Sequence, residues 1–477
     1  MCGSGRTDLN QNRQTVTVTI KKGECLHDVL ARQGYEADLP CGGNGTCGLC
    51  SVYVERFGDV RSCQFRLPGT YQVLVKKQAA FDAVGAENLE FQFPGDAEKA
   101  FVAIDIGTTT VAWLAAYQGR QLSGGFVNPQ RQYGADVMSR IRQSESGNGC
   151  QMQRLLAERL SKELTQALQT LSQGMQIADA QIAIAANTTM LHILNGWDCA
   201  GLGKAPFAPH SLALSTWNAG EWRGLLGMDW LDVCRNYTVT ELPGISTFIG
   251  ADIVSGMLAT HMANAQEVTL LVDLGTNGEM VLGTGERFLA ASTAAGPAFE
   301  ASEAALQLHA SGIFKALHQM CFSRAMDETG LLAEPYFSGG YPVGSVTITQ
   351  DMVRDFQMAK AAIRAGIELL LREYGITAQK LERIYLAGGM GYYMNPEDAI
   401  AIGLLPEIAP EKVQAVGNTS LKGLARYLND PASAAVQMEQ AVSKTTEIIL
   451  ADHPEFEETF ADFKAYYGEH CKDHTAP

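Results

Sequence analysis

The pattern of hydrophobic and polar residues over the first 75 positions predicts several short strands around one helix. Residues 15–20 alternate with period two and run into a turn that contains lysine and glycine, which predicts a hairpin strand. Residues 26–31 have helical spacing and predict a short helix. Residues 51–55 and 71–75 are predicted to be two further strands.

Two later segments share one plan. Residues 101–114 contain an apolar strand, an Asp-x-Gly-Thr turn and a second apolar strand, and residues 270–282 repeat that order. The repeat indicates an internal duplication. Helical spacing in residues 152–171 and 351–371 predicts long helices that follow the two hairpins.

A third apolar strand, in residues 384–391, runs into two adjacent glycines. The periodicity is lost over residues 76–100, where glycine and proline lie among charged residues, and this segment is predicted to be an interdomain linker. We therefore predict the following organisation: a first domain at residues 1–75, the linker at 76–100, and a second domain at 101–477, with lobes of about 101–265 and 266–430 and a C-terminal extension.

Composition narrows the class of protein. The chain has 477 residues, more than one ordinary core accommodates, and a net charge of -16. This acidity argues against a nucleic-acid partner, because no basic stripe is available to replace phosphate counterions. No apolar run approaches the length of a membrane span or of a signal sequence, so we expect a soluble cytoplasmic protein. Eleven cysteines in so long a chain fit a reducing compartment.

Four cysteines have the spacing of a metal centre. Cys41, Cys47 and Cys50 are separated by five and two residues on a glycine-rich loop, and Cys63 follows after a gap of twelve residues. This arrangement predicts the four ligands of a plant-type or adrenodoxin-type [2Fe-2S] cluster. The alternative is a structural zinc site, which usually pairs one C-x2-C with another. With the predicted strands and helix, the loop matches the β-grasp ferredoxin fold.

The two hairpins carry groups suited to a nucleotide. Their turns offer backbone N–H groups and hydroxyls to phosphates, and their aspartates are suited to Mg2+, held through water. Paired glycines after the third strand would let a base and ribose lie against the backbone. The candidate nucleotide-binding residues are Gly107, Thr108, Thr109 and Thr110 in the first hairpin, Gly275, Thr276, Asn277 and Gly278 in the second, and Gly388 and Gly389 after the third strand.

These three motifs, in this order, resemble the phosphate-1, phosphate-2 and adenosine motifs of the ATPase superfamily of actin, sugar kinases and heat-shock chaperones. Residues 248–256 and 417–423 fall where the hinge helices of that superfamily belong. The resemblance implies a duplicated ribonuclease H-like, actin-like ATPase domain, with Lys360 and Arg364 against the nucleoside. The alternative is that these two residues, with Gln357, form a solvated face. No P-loop motif occurs.

Several longer strings narrow the resemblance to the reductive activators of corrinoid proteins. They lie at residues 128–130, 133–141, 186–190, 292–300 and 359–366. The resemblance implies ATP-dependent transfer of one electron from the [2Fe-2S] cluster to Co(II) of a corrinoid protein, which regenerates Co(I) for methyl transfer. The implied cofactors are the cluster, ATP and Mg2+, and the implied partners are a corrinoid protein of a methyltransferase system and an upstream ferredoxin or flavodoxin. A homodimer is left open.

On this hypothesis, Asp105 and Asp273 hold Mg2+, and Glu279 or Asp252 positions the attacking water. The D-x-H-x-x-G signature of a corrinoid-binding chain does not occur, so the corrinoid is expected on the partner. Three alternatives stay open: an activator of a radical dehydratase-type enzyme, a redox-gated nucleotide switch, and a small-molecule kinase.

Overall fold

The computed structural model describes residues 13–32, 35, 45, 50–76, 98–295, 303–344, 346–391 and 394–466. The predicted ligands Cys41 and Cys47 lie outside these residues, as does most of the predicted linker. Within them, no helix combines the length and the apolar character that crossing a membrane requires.

The N-terminal domain is an antiparallel sheet with one helix packed against it. Its strands are β1 Arg13–Ile20, β2 Ser51–Val54, β3 Gly58–Arg61 and β4 Gly69–Lys76, and their order in the sheet is β1, β4, β2, β3. Helix α1, Leu26–Arg32, packs its leucines against Val18 and Val73 of the sheet. This is the β-grasp ferredoxin fold that the sequence predicts.

The prediction of a hairpin at residues 15–20 was wrong in one respect. The strand exists, but it pairs with β4, so that Arg13 lies opposite Lys76 and Ile20 opposite Gly69. The backbone N–H of Lys21 donates to the Glu24 carboxylate at 2.9 Å, and this turn leads into α1 instead of a returning strand. The short strand β3 was not predicted.

The first lobe of the larger domain contains a six-stranded sheet. Its strands are β5 Lys99–Ile106, β6 Thr110–Tyr117, β7 Arg120–Val127, β8 Ile177–Ala186, β9 Ser215–Asn218 and β10 Cys234–Glu241. They lie in the order β7, β6, β5, β8, β10, β9. The strands β5, β8 and β10 are parallel, and β5 and β8 are largely apolar, as strands covered on both faces are.

The second lobe repeats this topology. Its main sheet contains β11 Thr269–Leu274, β12 Gly278–Thr284, β13 Arg287–Thr293, β16 Arg383–Ala387, β17 Val413–Gly417 and β18 Thr445–Glu447. The strands β14 Tyr341–Val343 and β15 Val346–Ile348 pair separately. The order β17, β16, β11, β12, β13 matches β10, β8, β5, β6, β7 of the first lobe. The duplication inferred from two Asp-x-Gly-Thr turns is therefore present in the topology.

Helices cover both sheets. They are α2 Val137–Gln143, α3 Gly149–Leu171, α4 Thr188–Leu194, α5 Ala219–Leu226, α6 Ala251–Ala259, α7 Glu303–Phe322, α8 Tyr336–Gly339, α9 Gln350–Tyr374, α10 Gly388–Gly391, α11 Pro396–Ala401, α12 Thr419–Asn429, α13 Pro431–Ser443 and α14 Phe456–Asp462. The long helix α9 begins where the Thr349 hydroxyl caps Met352 and ends at left-handed Gly375.

The helices α6 and α12 cross in close contact between the lobes. A Cβ on Gly423 would lie 1.9 Å from the carbonyl oxygen of Ser255, so only glycine permits this approach. The Ser255 hydroxyl donates to the carbonyl of Ser420 at 2.7 Å. Although α12 follows a strand of the second sheet, its residues Leu421 and Leu424 pack in the core of the first. The two hinge segments therefore link the lobes by direct packing.

This crossing generates a stability prediction. We expect Gly423→Ala to lower the free energy of unfolding by about 1–3 kcal/mol, because the added methyl must push α6 and α12 apart. Urea unfolding followed by circular dichroism measures the change. The control is Gly224→Ala on helix α5, where a Cβ has no heavy atom within 4 Å and where the helix propensity of alanine favours the variant. Equal stability of the two variants would contradict the packing described here.

Candidate functional site

The described part of the cysteine loop brings two predicted ligands together. The Sγ atoms of Cys50 and Cys63 lie 3.3 Å apart, and both side chains are buried. Two thiolates on one tetrahedral metal ion, with metal–sulfur bonds of about 2.3 Å, lie about 3.8 Å apart, so this pair needs to separate by only about 0.5 Å. The spacing of twelve residues, short for a ferredoxin, therefore still allows Cys63 to reach the position of a ligand.

Two buried polar side chains lie in the same part of this domain, and the backbone N–H of one, His27, donates to the carbonyl of the other, Ser62, at 3.1 Å. Within the described residues, both ring nitrogens of His27 and the hydroxyl of Ser62 have no hydrogen-bond partner, and Ser62 directly precedes Cys63 in the chain. Buried donors normally find acceptors, and an iron–sulfur cluster supplies several sulfur acceptors. The Ser62 hydroxyl and one N–H of His27 are therefore donors that fit a cluster bound beside Cys50 and Cys63.

The first hairpin turn is held by side chains from three other segments. The N–H of Gly107 donates to Thr110 O at 2.8 Å and closes the turn. Asn128 donates to Gly107 O at 2.8 Å, and Asn187 donates to the Thr108 hydroxyl at 2.9 Å. The buried guanidinium of Arg140 donates to Thr108 O. The turn is therefore rigid and ready to present its N–H and hydroxyl groups.

The two predicted phosphate turns, one from each lobe, lie in contact. The hydroxyls of Thr109 and Thr276, 167 residues apart in the chain, are 3.1 Å apart and share a hydrogen bond. In the second turn, Gly275 N donates to Asn277 O at 3.0 Å. Two turns that meet in this way can bind the same phosphate chain from both sides.

A buried aspartate links the first turn to the hinge. Asp105 accepts hydrogen bonds from the side chains of Asn418 and Ser420, each at 2.7 Å. Burial raises the pKa of Asp105, and the two hydrogen bonds oppose that shift. Burial and the neighbouring Asp105 raise the pKa of Asp252, at the start of α6, to about 7. The two carboxyl groups therefore lie close enough to disfavour joint ionisation.

A second pair of carboxylates lies on the other lobe. Asp273 and Glu279 are directly opposite each other in the antiparallel pairing of β11 with β12. Side chains in this position are neighbours on one face of the sheet, and like charges there repel unless a cation lies nearby. A Cβ on Gly388 would lie 2.6 Å from Oδ1 of Asp273, so the third motif approaches the second closely. Gly389, which follows it in the first turn of α10, is exposed.

Helix α9 and the C-terminal segment enclose Lys360. Its ammonium group donates to Ala465 O and lies 4.9 Å from the ring centroid of Tyr466, and burial lowers its pKa to about 7. The guanidinium of Arg364 lies 4.6 Å from the ring centroid of Phe463. The alternative of a solvated face was wrong, because these side chains pack under the C-terminal segment. Nucleoside contact by Lys360 or Arg364 stays a prediction.

Sequence reasoning missed several residues that support the site. Asn418 and Ser420 lie in the predicted hinge segment, but their contact with Asp105 carried no sequence signal. Asn187 and Arg140 lie within strings that were noted only for their resemblance to the family. Each acts on the first hairpin from at least 30 residues away in the chain.

Three family models match the chain. The model described as the C-terminal domain of RACo, the ASKHA domain, matches residues 267–313 and 310–475. The model described as the RACo middle region matches residues 101–265, and the model of the 2Fe-2S iron-sulfur cluster binding domain matches residues 9–68.

Relatives and a solved structure agree with these matches. The corrinoid activation enzyme RamQ of Eubacterium limosum is 30% identical over 93% of this chain and 96% of its own length. The Co(II) methylated amine-specific corrinoid protein reductase of Methanosarcina barkeri is 31% identical over 43% of this chain and 46% of its own length. The structure of a reductive activator for corrinoid, iron-sulfur protein superposes with a TM-score of 0.68 at 24% identity, covering 98% of this chain and 81% of that one. The superposition supports the fold.

The position of Cys63 beside Cys50 generates a prediction about cluster binding. We expect Cys63→Ala to lose most of its iron and its visible absorption after anaerobic reconstitution, because the variant lacks one thiolate of the Cys50–Cys63 pair. The matched control is Cys25→Ala in the same domain, since burial raises the pKa of the Cys25 thiol to about 11 and disfavours a thiolate ligand. Iron and sulfide content are measured for both proteins. A full cluster in Cys63→Ala would exclude Cys63 as a ligand.

The raised pKa of Asp252 predicts a pH dependence of stability. Its value of about 7 in the folded chain exceeds its ordinary value of 3.8, so the folded state holds a proton that the unfolded state releases. Wild-type stability should therefore fall as pH rises through about 4 to 7. Between pH 5 and pH 8, we expect the wild type to lose about 1–2 kcal/mol more than Asp252→Asn, a figure reduced for partial exposure.

Urea unfolding without Mg2+ or nucleotide measures this difference at the two pH values. The control Asp232→Asn makes the same change at an exposed position and should follow the wild type. If Asp252→Asn and the wild type show the same pH dependence, the proton is not held at Asp252.

Proposed function

This chain belongs to the RACo family, the reductive activators of corrinoid proteins, and we propose that it uses ATP to drive one low-potential electron onto a corrinoid protein. The electron converts Co(II) of that substrate to Co(I), which is the form that accepts a methyl group. The observation that carries this proposal is the presence, in one chain, of a paired cysteine centre and two facing phosphate turns. A ferredoxin domain without the second feature would have no means of using ATP.

The energetics explain why the two parts belong together. Plant-type clusters have reduction potentials near about -400 mV, and the Co(II)/Co(I) couple of a protein-bound corrinoid is expected to lie lower. For one electron, each ~59 mV of unfavourable difference is a tenfold penalty, about 1.4 kcal/mol. Nucleotide binding or hydrolysis overcomes such a penalty only if it favours one conformation of the protein over another.

A bound nucleotide would favour the closed arrangement of the two lobes over the open one. The Thr109–Thr276 contact joins the turns, and the α6–α12 crossing is the joint about which they would move. Closure of two such lobes on a nucleotide is a common form of domain motion. We propose that the closed form binds the Co(II) state of the corrinoid protein and changes its cobalt ligation, which makes the metal easier to reduce.

The carboxylates support binding of Mg2+ with the nucleotide. Asp105 and Asp273 lie at corresponding strand ends in the two lobes, and Glu279 lies opposite Asp273. Hydroxylated and glycine-rich turns beside such carboxylates hold phosphates and a hydrated Mg2+ ion. We propose that Asp105 and Asp273 bind the ion through water.

Two carboxylates are candidates to position the attacking water. A group that accepts a proton near neutral pH is suited to this task, and the pKa of Asp252 is raised to about 7. This favours Asp252 over Glu279, the other candidate that the sequence predicted. The cluster, once bound through Cys50, Cys63 and the predicted Cys41 and Cys47, supplies the electron.

The partners follow from this chemistry. The substrate is a corrinoid protein of a methyltransferase system, and a ferredoxin or flavodoxin is proposed as the upstream donor. The homodimer stays a proposal that no contact within the described residues addresses. The match of residues 9–68 to a 2Fe-2S domain disfavours the radical dehydratase activators, which lack a ferredoxin domain.

The test is an anaerobic reduction assay. The reduced, cluster-loaded protein is mixed with a cob(II)alamin-loaded corrinoid protein, with and without Mg-ATP, and Co(I) is followed by its absorbance. We expect Co(I) only with Mg-ATP, and a loss on the order of 100-fold in Asp273→Asn, because that variant weakens the metal–phosphate site. Asp232→Asn is the control.

Two results would contradict the proposal. Co(I) formation at the same rate without ATP would indicate that the protein acts as a simple ferredoxin and does not use ATP for this transfer. Phosphoryl transfer to a small molecule, with no Co(I) formed, would indicate a kinase.

A further inference from the structure

The side chain of Gln64 connects the two ends of the cysteine site. Its amide Nε2 donates to Cys63 Sγ at 3.7 Å. Its Cγ lies 2.8 Å, and its Nε2 3.3 Å, from the position that a Cβ on Gly45 would occupy. Gln64 thus lies directly against the loop that carries the first three predicted cysteines, while its amide points to the fourth.

Gly45, the described residue of this loop nearest to Gln64, has little freedom to move away from it. Gly45 has φ of +71°, in the left-handed region that favours glycine, and a side chain there would collide with Gln64. The guanidinium of Arg61, at the end of β3, donates to Gly45 O. The close approach of Gly45 and the hydrogen bond to Cys63 Sγ therefore position the Gln64 amide.

Hydrogen bonds to cysteine sulfurs change the reduction potential of an iron–sulfur centre. The added electron increases the negative charge on the sulfurs, so a donor binds the reduced state more strongly than the oxidised state. Gln64 makes such a hydrogen bond, from a side-chain amide to the sulfur of a predicted ligand.

We propose that Gln64 is a positioning residue that raises the reduction potential of the cluster by donating to Cys63 Sγ. This inference rests on the proposed function for the presence of the cluster, but not for the transfer to cobalt. A higher potential makes the cluster easier to load from the upstream donor and makes the step to Co(II) more dependent on ATP. Gln64 therefore makes the first electron transfer, onto the cluster, more favourable and the second, to Co(II), less favourable.

The experiment is a redox titration of the reconstituted full chain, followed by the EPR signal of the reduced cluster. In Gln64→Leu, which has no amide donor, we expect the equilibrium constant for reduction to fall three- to tenfold. For one electron this is a fall of about 30–60 mV in midpoint potential, at 59 mV per tenfold change. Gln64→Met, which fills the same space without a donor, should shift in the same direction.

The matched control is Gln72→Leu. Gln72 lies on β4 of the same domain, is exposed, and donates its amide to the Thr17 hydroxyl at 2.9 Å instead of to a sulfur. Its variant should retain the wild-type potential. An unchanged potential in both Gln64 variants would overturn the proposal, as would loss of the cluster from both, since Gln64 would then only hold the loop. Neither result depends on whether Co(II) is reduced.

Discussion

The hydrogen bonds that Asp105 receives from Asn418 and Ser420 are the contact on which the rest of the site depends. They join residues separated by 313 and 315 positions, at 2.7 Å each. Without them, a carboxylate at the end of a buried strand would be costly to keep in place. With them, one connected unit contains the first phosphate turn, the start of α12 and the crossing of α12 with α6. A ligand bound at Asp105 would therefore act directly on the contact between the lobes.

This arrangement connects chemistry to motion. The Thr109–Thr276 contact joins the two turns. Burial and then the nearby carboxyl group of Asp105 raise the pKa of Asp252, and two carboxyl groups placed in this way suit a bound cation. Positive charge at this point would relieve the repulsion between the two groups. We therefore propose that the lobes, the carboxylates and the glycine crossing respond together to Mg-nucleotide.

The sequence predicted those parts of the fold that depend on local pattern. The two hairpins, the third strand, α3 and α9 were all found from periodicity, because apolar spacing and turn residues act over a few positions. The four-residue strand β3 was missed because so short a segment has no clear period. The partner of β1 was wrong, since β4 lies more than 50 residues away and its choice depends on the packing of α1.

The candidate site divides in the same way. The cysteines and the phosphate turns have fixed spacings and were predicted. The hydrogen bonds of Asn187, Arg140 and Asn418 form only after distant segments pack together, so no local pattern encodes them. The burial of Lys360 depends on Tyr466, which lies more than 100 residues later in the chain. Helical spacing predicts which face of α9 carries Lys360, but it does not predict that the C-terminal segment packs over that face.

The central claim is that nucleotide closure of the lobes and binding of the corrinoid protein are coupled. The most direct measurement is the Kd of the Co(II) corrinoid protein with and without a non-hydrolysable ATP analogue and Mg2+, together with the Kd of the analogue with and without that protein. The account predicts that each ligand tightens the other by the same factor, about tenfold or more, which is at least ~1.4 kcal/mol. Affinities that do not change when the other ligand is present would contradict it.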